Sequence, residues 1–440
     1  MARSTMKKKV LAAAALAALV AAVYAPRLPR AFVHWDDDFL IVQNARLTLA
    51  PRDLAWMFGT FPARTYQPLG WLFYAALNAA FGVDATACHA ALLALHALNA
   101  GLFVALLMAL GCAPVAAWLA AAAWALHPLM VESAAWATEI PDVLATAFYL
   151  GSLLCYVAHA RRPRERVFLR AALALFAASC LSRWKGVNLP VVLLLLDAYP
   201  IRRAYAWREK LPFFAVASAS AAVNALAKAG LPSMDLLGPV RHPLAAAAAV
   251  MFYAGKLLVP AGLTPFYVVN APGEPVALAA LAAAAVTAGL FFLRRRIPAA
   301  FGAWLCYLTA ILPACYASAR GQVFAMDHYA YLSTLPLFYP LALALGRLKP
   351  KTAVLAAAPA LALLAWLSFA QLSVWGGSRA LWTHALKVDP SSCPALSNLG
   401  QELYDEGDRA AAFRFFERER AACPDNEVTR HHVELLERAR

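Results

Sequence analysis

Residues 10–25 read VLAAAALAALVAAVYA, an uncharged run placed directly after Lys7, Lys8 and Lys9. A basic start followed by apolar sequence reads as a first membrane-spanning helix with its N-terminus in the cytoplasm. The rival reading is a cleavable signal peptide, since Val23-Tyr24-Ala25 resembles a small-residue cleavage site. Either way the next segment, FVHWDDDFLIVQNARL at 32–47, is placed on the outer face. It carries three adjacent carboxylates, Asp36, Asp37 and Asp38, between apolar and aromatic flanks.

Composition agrees with a membrane protein. The 440 residues are 62% hydrophobic and 15% charged, and mean hydropathy is +0.60. A soluble domain carries about 25% charged residues. The net charge of +14 is gathered in short clusters between apolar runs: RRPRER (161–166), IRRAYAWREK (201–210), RRR (294–296) and GRLKPK (346–351). That is the positive-inside pattern, and it argues against nucleic-acid binding. The 8 cysteines show no metal-ligand spacing.

Apolar runs continue to about residue 372 and predict an all-α, polytopic transmembrane bundle of about 11–12 spans over 1–372. Parity of the basic loops requires one of 211–229 and 243–259 to be re-entrant or interfacial. The second is the better candidate, because Pro260, Gly262 and Pro265 break its end. Within the outer loop 26–85, the aromatic-rich stretch 51–80 reads as interfacial helices or as an ordinary structured loop.

Residues 373–440 differ in character. Pro390 and Pro424 stand 34 residues apart. Between them Ala395, Leu396, Leu399, Gly400, Leu403 and Tyr404 recur at helical spacing, Gly407 interrupts, and Ala411, Ala412, Phe415 and Phe416 form a second face. This is the pattern of a tetratricopeptide (TPR) hairpin. One repeat is too few to stand alone, so it should pack on the bundle or on a partner. Cys393 and Cys423 fall at the two ends that such a hairpin brings together, and either pair there or remain free.

Chemistry concentrates in four places. Crowded carboxylates have split pKa values, which makes one of Asp36 and Asp37 a candidate general base. His127, Glu132, Glu139 and Asp142 lie at the outer end of two apolar runs, where ionisable residues mark cavities or simply form a polar hairpin loop. Arg183 and Lys185 follow Ser182, and Arg320, Asp327, His328, Tyr329 and Tyr331 sit in ARGQVFAMDHYAYL. Their bases either contact headgroups or clamp an anionic lipid phosphate. The Asp run could also hold a divalent cation through oxygen ligands.

The order of these motifs carries a resemblance. An acidic pair, then YQPLGWLFYAALNAAFG, HALNAGLFVALLMALG, ALHPLMVES, LPVVLLLLD, DHYAYL and a TPR tail resembles the GT-C superfamily of integral-membrane glycosyltransferases. The likeness is to the transmembrane-and-TPR protein O-mannosyltransferases and their bacterial relatives, over nearly the whole chain. It implies transfer of a sugar from a polyprenyl-phosphate carrier to a Ser or Thr hydroxyl of a protein, outside the cytoplasm. For a bacterial chain, that means the inner membrane. Asp36 and Asp37 match the family's acidic pair, so one is implied as the base, with inversion at the anomeric carbon. Asp38, Arg64, Tyr66, His127, Glu132, Glu139, Asp142, Arg183, Lys185, Arg320, Asp327, His328 and Tyr329 are implied as substrate-binding. The chain departs from the family at Gln67, where Arg is usual, at Met130 for His, at Arg183-Trp184 for Lys-Glu and at His328 for Arg. Arg64 is the candidate replacement for the missing Arg. The rival readings are a non-catalytic TPR scaffold, a transporter or flippase for a lipid-linked sugar, and an enzyme of the same chemistry with a glycan or lipid acceptor.

Overall fold

The computed structural model describes residues 2–204, 206–228, 238–268, 274–318, 323–424 and 427–438. The architecture is all-α, with one small addition. The membrane-type part comprises α1 (Ala2–Tyr24), α2 (Pro51–Gly59), α3 (Pro68–Phe81), α4 (Ala85–Ala109), α5 (Pro114–Ala125), α6 (Val131–Ala135), α7 (Ile140–Arg161), α8 (Arg166–Ser182) and α9 (Leu189–Leu196). It continues with α10 (Trp207–Ala227), α11 (Gly238–Leu258), α12 (Glu274–Phe292), α13 (Pro298–Ser318), α14 (Ala330–Ser333), α15 (Phe338–Leu345) and α16 (Pro350–Leu372). The addition is an antiparallel ribbon of β1 (Tyr267–Val268) and β2 (Val323–Ala325), with Tyr267 opposite Ala325. Apolar periodicity over windows of helix length does not detect strands of two or three residues.

Helix starts follow local rules. Proline opens α2, α3, α5 and α16, where its missing N–H costs nothing. Asp84 caps α4 by accepting the Ala87 N–H at 2.6 Å. The centre is α4, packed against α1, α5 and α7, with α8 against α7. Small residues of α5, including Ala117, Ala120, Ala121 and Ala125, are fully buried and let these backbones approach closely.

Six helical segments are long and apolar enough to cross a membrane, or seven if the bent pair Pro114–Ala125 and Pro128–Ala135 counts as one span. This is fewer than the 11–12 crossings expected. Several apolar runs form helices of 8, 12 or 17 residues, too short for a hydrocarbon layer about 30 Å thick. Pro243–Leu258 is among the shorter apolar helices, whereas Trp207–Ala227 passes the length test, in keeping with the parity argument. In the best windows of α12 and α16 only 11% of residues are buried by protein. Such long apolar surfaces call for lipid around them.

α7 runs between two charged ends. At its C-terminal end, Asp197 accepts from Arg203 and Tyr156, each at 2.7 Å, and pairs with the fully buried Lys210. Glu209 accepts from Arg203 at 2.8 Å and from Arg166 at 2.9 Å, and meets His159 at 3.1 Å. This network ties α7, α8 and α10 to the turn after α9.

The C-terminal part holds α17 (Ser378–Val388), α18 (Cys393–Asp405), α19 (Arg409–Ala422) and α20 (Glu427–Arg438). Gly407, at φ +91°, makes the turn between α18 and α19. A disulfide joins Cys393 to Cys423 across the open end of that hairpin. The tail docks on the first loop: the His34 N–H donates to Ser378 Oγ at 2.6 Å, and Trp382 Nε1 donates to the His34 carbonyl at 3.2 Å. Gly400 lies under Phe416, and a Cβ there would stand 2.5 Å from the ring. Gly400→Ala therefore is expected to pry α18 from α19 and cost about 1–3 kcal/mol. Thermal unfolding of the purified chain checks this, and an unchanged midpoint would mean the hairpin does not depend on that contact.

Candidate functional site

At the N-terminal end of α7, the first loop, the α6–α7 turn, the α8–α9 turn and the segment before α14 converge. Aromatic stacking holds the first loop and the α6–α7 turn against the start of the tail. Trp35 lies flat on Trp136 at 4.2 Å, Trp136 stacks on Trp375 at 5.9 Å, and Trp35 meets Trp382 edge-on at 5.5 Å. The Asp run is thereby pinned between the α6–α7 turn and the tail.

The three aspartates do not form one crowded cluster, because each has a different surrounding. Asp37 is fully buried, and both its oxygens are occupied. Oδ1 accepts from the Thr138 N–H at 3.0 Å and hydroxyl at 2.6 Å, and Oδ2 accepts from the Val33 N–H at 3.1 Å. Burial still pushes its carboxyl up to about 6, against those three bonds. Asp38 pairs with His34, one turn away. Asp36 is partly exposed. Burial raises its pKa and the nearby Arg183 opposes the rise.

Asp142 is the hub of the cationic side. Its Oδ2 meets Arg183 Nε at 2.9 Å, and its Oδ1 meets Lys185 Nζ at 2.8 Å. Arg183 also donates to Gln67. Lys185 lies 5.1 Å over the Tyr329 ring. A third cation, Lys228 at the end of α10, sits 4.9 Å over Trp184. Burial together with repulsion from Arg183 and Lys185 holds its ammonium below the usual range.

The acidic side lies opposite. His328 Nδ1 is 2.5 Å from Glu132 Oε1 and 3.9 Å from Glu139 Oε1, and the His328 backbone N–H donates to the same Glu132 oxygen at 3.2 Å. Asp327 Oδ1 accepts from the Tyr267 hydroxyl at 2.8 Å, and burial pushes its carboxyl up to about 7. Burial, with Lys185 and Arg183 adding to it, pushes the His328 imidazole well down. The second oxygens of Glu132 and Glu139 are buried without a hydrogen-bond partner.

Two cavities meet here. One is lined by Asp142, Trp184, Lys185, His328 and Tyr329. The other, almost wholly apolar, runs along α4, α7, α9 and α13 past Leu106, Leu153, Val192 and Ala303 to Tyr339. Ala310 and Leu332 line both.

Other predicted site residues lie elsewhere. Arg64 is exposed on the turn Pro62–Arg64, and Gln67 is the residue that reaches Arg183. Tyr66 donates its N–H to Asn224 at 3.2 Å and its hydroxyl to the Phe58 carbonyl at 3.1 Å. His127 caps its own turn: Nδ1 accepts the Leu129 N–H at 3.2 Å and Nε2 meets the Leu257 carbonyl at 3.1 Å, so both ring nitrogens are engaged in structure. Arg320 lies outside the described residues. Among the described residues, no group of three or more His, Cys, Asp or Glu is arranged to hold a metal ion.

Sequence reading passed over Gln67, Thr138, Lys228 and Tyr267 as participants. Lys228 had one signal, a lysine directly after an apolar run, which is also ordinary for a helix end. Compared with protein-family models the chain matches none, and no curated protein matches it.

Asp37 supplies a test of this geometry. Its folded carboxyl keeps a proton up to about pH 6, against 3.8 for the free group. Between those values the folded state binds more proton than the unfolded one, so stability falls as pH rises. Asp37→Asn should flatten that slope. It should also cost about 1–3 kcal/mol, because its amide cannot accept from all three donors. Thermal unfolding in nanodiscs across that window checks both, and an unchanged slope would assign the titration to another group.

Proposed function

We propose that this chain is a membrane glycosyltransferase of GT-C type. It takes a sugar from a polyprenyl-phosphate donor and places it on a Ser or Thr hydroxyl of a protein, on the extracytoplasmic face. The observation that carries the reading is the junction of the two cavities. An apolar cavity that shares Ala310 and Leu332 with a pocket walled by Lys185, backed by Arg183 and Lys228, suits a ligand with a hydrocarbon chain and a phosphate. A soluble nucleotide-sugar would have no use for the apolar half.

Asp36 is the base in this reading. Asp37 is fully engaged as an acceptor and fixes the loop, which leaves Asp36 as the carboxylate of the pair with room for a hydroxyl. Asp36 draws the acceptor proton as the oxygen attacks the anomeric carbon from the side opposite the phosphate. Arg183, Lys185 and Lys228 take up the negative charge that develops on the departing phosphate. Single displacement inverts the anomeric centre. The chain lies in the inner membrane if bacterial, with the basic loops in the cytoplasm and the site and tail outside. The Cys393–Cys423 disulfide supports that sidedness, because disulfides persist in oxidising compartments. The tail is a TPR-like unit that holds the acceptor polypeptide beside Asp36, a reading supported by its docking on His34.

The test is sugar transfer by the full chain in nanodiscs, from polyprenyl-phosphate hexoses to a Ser/Thr-rich peptide. Asp36→Asn is expected to lower kcat by about 10²–10⁴ with donor binding retained. Equal activity in the variant would remove Asp36 from the mechanism. If the wild type binds no polyprenyl-phosphate sugar, the donor reading fails and a scaffold role replaces it.

A further inference from the structure

Within the proposed reaction, one pair of groups still has no task. Glu132 and His328 share a 2.5 Å contact in a setting where neither side chain is more than 6% exposed. Three arrangements of the protons exist. An imidazolium facing a carboxylate would place a separated charge pair in a region that already holds Glu139, Asp327, Asp142, Arg183 and Lys185. A neutral ring protonated on Nδ1 would leave Glu132 a buried carboxylate repelled by Asp327 and Glu139. The third, with no charge on either group, keeps the proton on Glu132 and uses Nδ1 as acceptor, which places the ring's own proton on Nε2.

The surroundings favour the neutral form. Lys185 and Arg183 on one side resist a positive imidazole, and burial resists it further. Glu139 Oε1, at 3.9 Å from Nδ1, is beyond hydrogen-bond distance. Asp327 is turned to Tyr267. Tyr329 meets the ring edge-on at 4.5 Å, and Trp136 stands at 5.9 Å. None of these groups takes Nε2. His328 lines the pocket that also holds Lys185 and Tyr329, so Nε2 is the nitrogen left for a ligand there.

We propose that Glu132 and His328 act as a proton relay to the departing lipid phosphate, with His328 Nε2 as the donor. The glycosidic bond between the anomeric carbon and the phosphate oxygen breaks, and its electron pair goes to that oxygen. The phosphate takes the Nε2 proton, and the Glu132 proton moves to Nδ1. Glu132 is left as a carboxylate hydrogen-bonded to the other tautomer of His328. On the opposite side Asp36 has gained one proton from the acceptor hydroxyl. One proton has entered the site and one has left it, so exchange with water restores both groups with no net change. A phosphate monoester has its second pKa near 6, so a donor beside it at neutral pH can still set its charge as it leaves.

This rests on the donor reading above, and two measurements separate its failure from the failure of that reading. The first is 15N NMR of the His328 ring in the full chain in nanodiscs, which needs no substrate. The expected result is a neutral ring protonated on Nε2 from pH 5 to pH 8. A ring protonated on Nδ1, or a full imidazolium, overturns the relay whatever the protein transfers. The second is the pH profile of transfer. In the wild type kcat should fall at high pH as Glu132 loses its proton. His328→Arg puts a fixed cation in place of the neutral ring and Glu132→Gln keeps the shape, but neither can pass a proton. Each should lose on the order of a hundredfold in kcat. KM for the donor should stay within about twofold, and the basic limb of the profile should vanish. Wild-type kcat and an unaltered basic limb in both variants would overturn the relay while leaving the donor reading in place.

Discussion

The Asp142 fork is the interaction on which the site depends. One carboxylate, nearly buried, holds Arg183 through one oxygen and Lys185 through the other. A lone ion moved from water into such a place costs several kcal/mol even after relaxation. Three charges in one ion-paired group share that cost, and the shared excess is positive. The fork therefore does two things. It makes a charged end to an apolar bundle tolerable, and it leaves a surplus of positive charge beside a cavity.

The opposite end of α7 solves the same problem differently. There Asp197 and Glu209 face Arg203, Arg166 and Lys210, and Tyr156 adds a hydroxyl. Each described acid there is met by a base. A network of matched acids and bases of this kind fixes helix ends. The Asp142 end keeps buried oxygens on Glu132 and Glu139 without partners, and a pocket lined by Asp142, Lys185 and His328 lies against them. Unsatisfied buried oxygens are costly, and they make sense where a ligand completes them.

Much of the fold was legible in the sequence. The apolar runs appeared as helices, and the change of character at 373 coincides with the end of α16. The number of crossings was not legible, because an apolar run of 8 or 12 residues looks the same whether it spans, breaks or bends. The site was legible in part. Asp36, Glu132, Asp142, Arg183, Lys185, Asp327 and His328 do gather at one end. His127, Arg64 and Tyr66 read equally well in one dimension, yet their side chains are spent on a turn, on solvent and on the last turn of α2.

By itself the sequence determined the class of solvent this chain needs, since hydropathy and the rarity of charge are additive properties that require no contacts. It also determined where charge could gather, because charge between apolar runs must lie at helix ends. Only the tertiary structure decided what those charges do. Hydrogen bonding is directional and short-ranged, so three adjacent aspartates became an occupied acceptor, a surface ion pair and one available carboxylate. The same rule set Glu132 against His328 across 196 positions of chain, a pairing that no local pattern encodes.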